Sequence, residues 1–459
     1  MTPHQFEPSI LREYDIRGIV GDTLHLEDAY AVGRYFGSVI AEEGARNMCV
    51  GYDGRHSSPN LSAELVRGAC DAGIDVIEIG LNATPTLYYA TTVLGAGGGV
   101  MVTGSHNPAP YNGFKFMLGN KPFWGNDLKS LGQRAQVGDC KTGNGSATIK
   151  EIRKSYVARI VGDYRAASGL KVAWDSGNGS LGPAMTQLTS CLPGNHILLN
   201  EVVDGDFPAH HPDPTVPENL AQLQAAVAMH GCDLGVAFDG DGDRIGVIDD
   251  LGRILWGDQI LAIFAREMLK DLPGATVIAD VKASQAFFDE VARCGGKPVM
   301  CPTGHSIIKS KMTELNAPLA GEMSGHIFFA DGYYGYDDAL YAALRLVDIV
   351  ARSNLSLSEM RDGLPKMINT PEIRIDVPEE RKFDIVLEVE QRLSCAGAQI
   401  STVDGVRVNT SDGWWLLRAS NTQNALVVRC ESVSDSGLDT LKATVVEQLQ
   451  LSDVQAPEF

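Results

Sequence analysis

Three stretches of the chain share one pattern of apolar and polar positions. In each, an apolar run ends in an aspartate: "MCVGYD", "LKVAWD" and "ATVIAD" end at Asp53, Asp175 and Asp280. Apolar positions at helical spacing come next, over residues 59–72, 181–190 and 283–294. A second apolar run follows each of these segments, at residues 76–79, 197–199 and 298–300. The repeat predicts three copies of one β-α-β unit.

Each copy continues with a further apolar strand that runs into a polar loop. The loops read "GSHNP" after Val102, "DGDGDR" after Phe238 and "GEMSGH" after Ala320. Ligands of open α/β sheets bind at the carboxyl ends of the strands. Because all three loops contain groups that can do chemistry, we expect them to line one cleft if the copies meet around a centre.

The chain from about residue 367 has a different pattern. "EIRIDV" and "WWLLRASNTQNALVVRCES" read as strands around a loop, and "GLDTLKATVVEQLQL" reads as an amphipathic helix. We therefore predict an α/β fold with three topologically similar α/β domains and a smaller C-terminal α+β domain around a central cleft. The predicted domains are residues 1–150 with "GSHNP", 151–253 with "DGDGDR", 254–366 with "GEMSGH" and 367–459 with "RASNTQN".

Composition narrows the function classes. The 459 residues are 44% apolar and 21% charged, and no apolar run approaches the length of about 20 residues that a membrane span needs. The start, "MTPHQFEPSI", lacks the pattern of a secretion signal, and the nine scattered cysteines form no CxxC pair, which favours a reducing cytoplasm. A net charge of −20 argues against nucleic acid and anionic membranes. An anionic substrate would therefore need locally concentrated positive charge.

The "DGDGDR" loop predicts a metal site. Asp239, Asp241 and Asp243 alternate, and alternate side chains on extended backbone share a face. Three carboxylates on one face suit a hard divalent cation, and Mg²⁺ is our prediction. An EF-hand is excluded, since its glycine position is Arg244, and a solvated acidic turn fits less well between apolar strands. Arg244 is either an exposed arginine or a phosphate clamp.

Ser105 and His106 stand side by side in the "GSHNP" loop. A serine hydroxyl is a weak nucleophile that becomes useful beside a metal ion. A protease-like serine–histidine pair is disfavoured, because adjacent residues rarely meet in that geometry and no G-x-S-x-G motif surrounds the serine. Taken alone, the motif favours a turn serine that bonds to its own backbone.

Further polar groups cluster in the remaining loops. A carboxylate and a hydroxyl, Glu322 and Ser324, can chelate neighbouring sugar hydroxyls. "RASNTQN" has the composition of a phosphate-binding turn, although a plain polar hairpin tip fits it equally well. The cationic or aromatic candidates in other loops after strands are Tyr14, Arg17, Lys115, Lys282 and His305. Together they would supply the local positive charge.

These motifs resemble those of the α-D-phosphohexomutases. "TGSHNPAPYNGFKF", "DGDGDRIG", "GEMSGH" and "RASNT" occur in the order and spacing of that family, and the resemblance covers residues 11–451. With methionine in the middle, "GEMSGH" most resembles the motif of the bacterial phosphomannomutase/phosphoglucomutase branch. The resemblance implies interconversion of hexose 1-phosphate and hexose 6-phosphate, with glucose and mannose as the sugars and glucosamine phosphate as a poor substrate.

The resemblance also implies a role for each candidate residue. Ser105 passes a phosphoryl group to the sugar phosphate, and the resulting 1,6-bisphosphate turns over in the cleft before it returns the other phosphate. The implied Mg²⁺ ligands are Asp239, Asp241, Asp243 and an oxygen of phosphorylated Ser105, and glucose 1,6-bisphosphate is the implied activator. The implied catalytic group is Ser105, Lys115, His305, Arg17, His106 and Arg244, with Lys115 and His305 as the proton carriers. The implied substrate-binding group is Tyr14, Lys282, Glu322, Ser324, His326, Arg418, Ser420, Asn421 and Thr422.

Other functions stay open on the sequence alone. They are a phosphoglucosamine mutase of the same family, a metal-dependent sugar phosphatase and a non-catalytic sugar-phosphate-binding protein. A phosphatase needs a path for water to the phosphoenzyme, whereas a mutase must exclude water. We expect a cytoplasmic monomer that acts on hexose phosphates and binds neither nucleic acid nor membranes.

Overall fold

A computed structural model describes residues 3–421, 423–457 and 459. Within them the chain forms four successive units, each built on a β-sheet of its own. The predicted fold class, three similar α/β units and a smaller C-terminal α+β unit, is confirmed. None of the described helices is both long enough and apolar enough to span a bilayer.

The first unit contains the "GSHNP" loop between its strands β4 and β5. Its elements are β1 (Ile16–Ile19), α1 (Leu26–Glu42), β2 (Asn47–Tyr52), α2 (Ser58–Asp71), β3 (Asp75–Leu81), α3 (Thr84–Val93), β4 (Gly98–Val102), β5 (Tyr111–Leu118), β6 (Lys121–Pro122), α4 (Asn126–Val137) and β7 (Ala147–Ile149).

The second unit contains the "DGDGDR" loop between β10 and β11. Its elements are α5 (Arg153–Val161), β8 (Leu170–Asp175), α6 (Gly182–Thr189), β9 (Gly194–Leu199), α7 (Ala221–His230), β10 (Leu234–Phe238), β11 (Ile245–Asp249) and β12 (Ile254–Leu255). Because β12 pairs with β11, the second sheet continues two residues past the boundary that we predicted at residue 253.

The third unit contains the "GEMSGH" loop between β15 and β16. Its elements are α8 (Gly257–Asp271), β13 (Thr276–Asp280), α9 (Gln285–Arg293), β14 (Lys297–Cys301), α10 (His305–Leu315), β15 (Leu319–Gly321), β16 (Ile327–Phe329), α11 (Ala339–Arg352) and α12 (Leu357–Asp362).

The fourth unit contains the "RASNTQN" loop between β21 and β22. Its elements are β17 (Ile368–Asn369), β18 (Ile373–Asp376), α13 (Lys382–Cys395), β19 (Gln399–Ser401), β20 (Val406–Thr410), β21 (Gly413–Ala419), β22 (Ala425–Ser432) and α14 (Asp435–Gln450). The sequence pattern does not predict α13, because the valine and isoleucine content of this segment suits a strand as well as a helix.

The three α/β units repeat one sheet order. The orders β5-β4-β2-β3, β11-β10-β8-β9 and β16-β15-β13-β14 correspond strand for strand. In each, three strands are parallel and the fourth returns antiparallel. The predicted helices correspond to α2, α6 and α9, with ends that differ by at most two residues. Each candidate loop therefore leaves the carboxyl end of the equivalent parallel strand.

The first three units share an apolar core that does not include the fourth unit. One continuous apolar core joins the first three units and includes Tyr88, Trp174 and Phe264, one from each. The fourth unit has a separate core around Trp415 and Leu417. The fourth unit is therefore the part of the fold best able to move as a body.

A buried arginine docks the fourth unit on the third. Arg407 Nη1 donates to the carbonyl oxygens of Val281 at 2.6 Å and Ala283 at 2.9 Å, directly after β13. Its guanidinium carbon lies 3.7 Å from the centre of the Trp414 ring, within cation–π range. These contacts bring the fourth sheet to the loop end of β13.

Candidate active site

The loop after β4 places Ser105 against the aspartate loop of the second unit. Ser105 is 3% exposed, and its Oγ lies 3.2 Å from Asp239 Oδ2. The φ of Ser105, 50°, lies in the left-handed region, which costs a non-glycine residue about 1–3 kcal/mol. Surrounding contacts must therefore hold this turn in place.

Asp53, at the end of the first parallel strand, supplies some of those contacts. Its Oδ2 accepts from Thr103 Oγ1 at 2.8 Å and from the Gly104 amide at 3.1 Å. The Ser105 amide in turn donates to Thr103 Oγ1 at 2.8 Å. The aspartate that marks the sequence repeat therefore organises the serine-bearing turn.

The equivalent aspartates do similar work in the other units. Asp175 Oδ1 accepts from the Gly177 amide at 2.9 Å, and Asp280 Oδ1 accepts from the Met323 amide of the "GEMSGH" loop at 3.1 Å. Burial raises the pKa of Asp280 to about 6. Buried strand-end carboxylates thus hold loop backbone in all three α/β units.

The structure corrects one expectation about His106. We expected Ser105 and His106 not to meet, but His106 Nδ1 lies 3.2 Å from Ser105 Oγ. The left-handed backbone at Ser105 breaks the usual alternation of side chains and lets the two side chains approach each other. Burial, followed by the charges of Arg244, Arg17 and Lys115, holds the pKa of His106 well below its usual range. The ring is therefore neutral.

The three aspartates of the second unit form a buried carboxylate cluster. Asp239, Asp241 and Asp243 each offer an oxygen within 4.8 Å of the others. Asp239 Oδ1 accepts from the backbone amides of Gly242, Asp243 and Arg244 at 3.0, 3.0 and 3.1 Å. Oδ1 of Asp241 and Oδ1 of Asp243 have no hydrogen-bond partner among the described residues. Because buried, unpaired carboxylate oxygens are costly, this set of hard donors fits a divalent cation.

Lys115 on β5 balances part of the charge of this cluster. Its Nζ donates to Asp241 Oδ2 at 2.7 Å and to Asp243 Oδ2. Burial opposes its charge, but the nearby carboxylates outweigh burial and raise the pKa of Lys115. Burial and the charges of Asp243 and Asp241 raise the pKa of Asp239 well above its usual range. The cluster carries more negative charge than Lys115 alone offsets.

Arg17 on β1 brings a second cation to the serine loop. Its Nη1 donates to the Gly104 carbonyl oxygen at 2.8 Å and to Asn107 Oδ1 at 2.6 Å, and it pairs with Asp15. The local positive charge that the acidic composition demanded is therefore present at Ser105.

Arg244 is neither an exposed arginine nor isolated. It is half-buried, and its Nε donates to His326 Nε2 at 3.0 Å. The residues also form a backbone bridge that joins the second and third units. Burial opposes the charge of Arg244, but carboxylates that include Asp213 and Glu322 raise its pKa. Arg244 is thus a charged group between the aspartate loop and the "GEMSGH" loop.

His305 and His326 lie together over a buried carboxylate. Their rings stack with centres 5.4 Å apart. His326 Nδ1 lies 3.1 Å and His305 Nδ1 3.6 Å from Asp337 Oδ2, and Lys309 Nζ donates to Asp337 Oδ1 at 3.0 Å. Burial and the charge of Lys309 hold the pKa of His305 well below its usual range. His305 is therefore neutral.

Glu322 is central among the candidate sugar-binding groups. Its Oε1 accepts from the Gly304 amide at 2.7 Å, which joins the loops after β14 and β15. Burial is the largest cause of the raised pKa of Tyr14, and the charge of Glu322 adds to it. Burial lowers the pKa of Lys282 and of Arg244, but carboxylates that include Glu322 outweigh burial and raise both pKa values. Ser324 lies half-buried in the same loop.

The "RASNTQN" loop reaches the first and third units. Asn421 Nδ2 donates to Tyr14 Oη at 2.9 Å, and Tyr14 Oη donates to the Thr303 carbonyl oxygen at 2.8 Å. Arg418 Nε donates to Asp404 Oδ2 at 2.9 Å, which also accepts from the Thr303 amide at 3.0 Å.

Three predicted substrate-binding residues remain: Ser420, Lys282 and Thr422. Ser420 Oγ accepts from the Gln423 amide at 3.1 Å, and Thr422 lies outside the described residues. Lys282 Nζ donates to Glu372 Oε2 at 3.0 Å, a further contact between the third and fourth units. The predicted groups other than Thr422 thus lie in or beside loops that contact one another.

Several charged residues at the site were not predicted from the sequence. Arg55 and Asp337 are buried, and Lys309, Glu372 and Asp404 are half-buried. Asp53, which holds the Ser105 turn, was not predicted as a site residue either, but its place at the end of the repeated strand was a signal in the sequence. The other five residues lie in segments without a recognisable motif, so their importance depends on contacts with distant segments.

Comparison with known proteins assigns the chain to a family. Four family models match in order: the phosphoglucomutase/phosphomannomutase alpha/beta/alpha domains I, II and III at residues 8–131, 154–252 and 256–368, and the C-terminal domain of the same proteins at residues 372–448.

Full-length relatives agree with the models. The chain is 44% identical over 449 residues to a Pseudomonas putida phosphomannomutase/phosphoglucomutase, covering 98% of this chain and 97% of the relative. It is 33% identical to an Escherichia coli phosphomannomutase, covering 92% and 95%. A crystal structure of a phosphoglucomutase/phosphomannomutase family protein from Burkholderia thailandensis is 39% identical, with a TM-score of 0.93 and 99% of each chain covered. The chain belongs to the phosphoglucomutase/phosphomannomutase family.

Proposed function

We propose that this chain is a phosphohexomutase that interconverts the 1-phosphates and 6-phosphates of glucose and mannose. A phosphoserine at residue 105 would donate its phosphoryl group, and a hexose 1,6-bisphosphate would reorient in the cleft before returning the other phosphate. The observation that carries the proposal is the contact of 3.2 Å between Ser105 Oγ and Asp239 Oδ2, which sets a nucleophile beside a carboxylate cluster.

Mg²⁺ is the proposed metal. Asp239, Asp241, Asp243 and an oxygen of phosphorylated Ser105 would hold it, and the unpaired Oδ1 atoms of Asp241 and Asp243 support this choice. When bound, it would offset the negative charge of the phosphoryl group in transfer. Lys115 and Arg17 already bring positive charge to the same loop.

We assign proton transfer to Lys115 and His305, with His106 as a further candidate. Lys115 Nζ donates to Asp241 and Asp243, and these carboxylates raise its pKa, so Lys115 brings a protonated ammonium group to the cluster. The neutral ring of His305 can accept a proton from a sugar hydroxyl. His106 Nδ1 lies within reach of Ser105 Oγ and can accept the hydroxyl proton when the serine attacks. Arg244 completes the catalytic group as an anion-binding cation.

Recognition of the sugar and its distal phosphate falls to the third and fourth units. We assign the sugar hydroxyls to Glu322 and Ser324, with His326 and Lys282 beside them. The phosphate that does not react would bind Arg418, Ser420, Asn421 and Thr422, with Tyr14 bridging to the first unit. Two phosphate sites, of which one lies at the carboxylate cluster and the other away from it, are what reorientation of a bisphosphate requires.

The unit boundaries and the cellular setting are also proposals. We place the domains at residues 1–150, 151–255, 256–366 and 367–459, with the fourth opening the cleft, because its core is separate. We propose a cytoplasmic monomer activated by glucose 1,6-bisphosphate.

A coupled assay tests the function. The purified protein is incubated with Mg²⁺, trace glucose 1,6-bisphosphate and, in parallel, the 1-phosphates of glucose, mannose and glucosamine. We expect the 6-phosphates of glucose and mannose with similar kcat/KM and a much lower value for glucosamine. Release of inorganic phosphate without 6-phosphate would identify a phosphatase instead, and equal use of glucosamine 1-phosphate would move the chain to the phosphoglucosamine branch.

A further inference from the structure

Arg55, just after β2, makes an unusually complete set of hydrogen bonds. It is 1% exposed, so each of its donors needs a protein partner. A guanidinium has five N–H donors in a fixed plane, and all five are used here. Nε donates to Asp53 Oδ2 at 3.1 Å, Nη1 to the carbonyl oxygens of Pro108 at 2.7 Å and Tyr111 at 2.9 Å, and Nη2 to those of Ser105 at 2.8 Å and Asn107 at 2.6 Å.

Three of the four carbonyl oxygens belong to the loop that carries Ser105, and the fourth belongs to Tyr111, the first residue of β5. This loop leaves the regular hydrogen bonding of the sheet between β4 and β5, so its carbonyl groups need other donors. The left-handed backbone at Ser105 is strained and persists only where its surroundings fix it. Arg55 gathers residues 105–111 around one planar group and thereby supplies that fixation.

The neighbouring residues are shaped around the guanidinium. A Cβ at Gly104 would lie 2.4 Å from Arg55 Cζ, so the glycine lets the loop backbone rest directly on the arginine. From the second unit, the Phe207 ring lies 5.2 Å from Arg55 Cζ, in cation–π range. Arg55 is therefore held between the serine loop and the unit that carries the aspartate cluster.

We propose that Arg55 is a positioning residue for phosphoryl transfer. It fixes the backbone of residues 105–111 so that Ser105 Oγ stays in register with Asp239, and it contacts neither the carboxylate cluster nor the sugar-binding residues. The inference rests on the proposed role of Ser105. Lysine cannot replace arginine here, because an ammonium has three donors and no planar fork that could serve four carbonyl oxygens.

The test compares Arg55→Lys with Arg34→Lys. Arg34 is a matched control: it lies in the same unit, is 7% exposed and donates to a backbone carbonyl oxygen, that of Asp71, away from the loop. We expect Arg55→Lys to lower kcat by about 100-fold, the cost of a misplacement of about 1 Å, with KM for glucose 1-phosphate changed less than about threefold. Arg34→Lys should keep kcat near that of the wild type.

Two readouts besides turnover separate positioning from general damage. Intact mass should show that glucose 1,6-bisphosphate phosphorylates Ser105 of Arg55→Lys about 100-fold more slowly than the wild type. Mn²⁺ binding to the carboxylate cluster of the unphosphorylated protein should be unchanged, because Arg55 does not touch the three aspartates. In Arg55→Ala, added guanidinium should restore part of kcat and methylammonium should not, since one is planar and the other is not.

Phe207→Leu is the second variant, in case the arginine variants fail to fold. It keeps the five hydrogen bonds and removes the ring, so we expect kcat to fall about three- to tenfold with KM unchanged. Arg55→Lys with kcat within threefold of the wild type overturns the inference, as does unfolded Arg55→Lys together with an unaffected Phe207→Leu. A wild type that never takes up phosphate at Ser105 would instead overturn the proposed function.

Discussion

The loop that carries Ser105 and the loop that carries Arg418 are held by different kinds of contact. Ser105 is buried in units that share one apolar core, and its turn is fixed by Asp53, Arg55 and Arg17. The Arg418 loop belongs to a unit with its own core and meets the rest of the cleft through side-chain hydrogen bonds such as that of Asn421 to Tyr14.

This difference suits a reaction in which an intermediate must turn over. The reacting groups gain from being preorganised, because phosphoryl transfer depends on positioning and charge. The distal phosphate must instead be released and gripped again, which a few hydrogen bonds on a movable unit allow. Substitutions at the first loop should therefore change kcat, and substitutions at the second should mainly change KM.

Ser105→Ala should have the largest effect. Loss of the nucleophile should lower kcat by at least about 1,000-fold, as it does in enzymes with a serine nucleophile, and intact mass should show no phosphorylated protein after incubation with glucose 1,6-bisphosphate. Ser176→Ala is a control, since Ser176 is also a buried loop serine after a parallel strand. Turnover by Ser105→Ala at the rate of the control would exclude Ser105 as the phosphoryl carrier.

Asp243→Asn should weaken metal binding. Its Oδ1 is one of the cluster oxygens without a hydrogen-bond partner among the described residues. Loss of a residue that merely orients a metal ligand raises the dissociation constant by roughly 10- to 100-fold, so loss of a ligand should raise the dissociation constant for Mn²⁺ or Mg²⁺ by more than that. Titration calorimetry measures it. Asp206→Asn is the control: Asp206 is exposed and lies in a separate group with His56 and Asp204, so the substitution should leave the affinity unchanged. Equal affinities in both variants would place the metal elsewhere.

Arg418→Lys tests the second loop. A bond to a charged group contributes about 1.5–3 kcal/mol, so KM for glucose 1-phosphate should rise about 10-fold or more while kcat changes less. Arg392→Lys is the control, because Arg392 lies on α13 of the same unit and donates instead to the Gln448 carbonyl oxygen on α14 and to Ser452 Oγ just after that helix. A loss confined to kcat would show that the two loops do not divide the work as proposed.

The sequence carried the fold and much of the site. Asp239, Asp241 and Asp243 could be predicted as a cluster because they alternate within one short loop, and the structure places them together as three buried carboxylates. The repeat of Asp53, Asp175 and Asp280 predicted equivalent units, and the sheet orders agree.

What the sequence could not supply were contacts between distant segments. Arg55 and Ser105 are 50 residues apart in the chain. The ion pair of Lys309 with Asp337 belongs to the site because the stacked rings of His305 and His326 lie beside it, which only the folded chain shows. The approach of His106 to Ser105 depended on one left-handed residue that no motif announces. The contacts of Lys115 Nζ with Asp241 and Asp243 likewise join residues 126 and 128 positions apart, and no motif in the sequence predicts them.

Tyr14→Phe should have the smallest effect, and it examines the junction between the two loops. The substitution keeps the ring but removes the hydroxyl that donates to the Thr303 carbonyl oxygen and accepts from Asn421. Of the two bonds, the one to Asn421 reaches the fourth unit, and a neutral hydrogen bond contributes about 0.5–1.5 kcal/mol, so KM should rise about three- to tenfold, with the rate of Ser105 phosphorylation little changed. Asn421→Ala should give a similar rise, and the double variant should add little to either single change, because both remove one shared bond. Fully additive effects would mean that the bond does not link the first and fourth units during turnover.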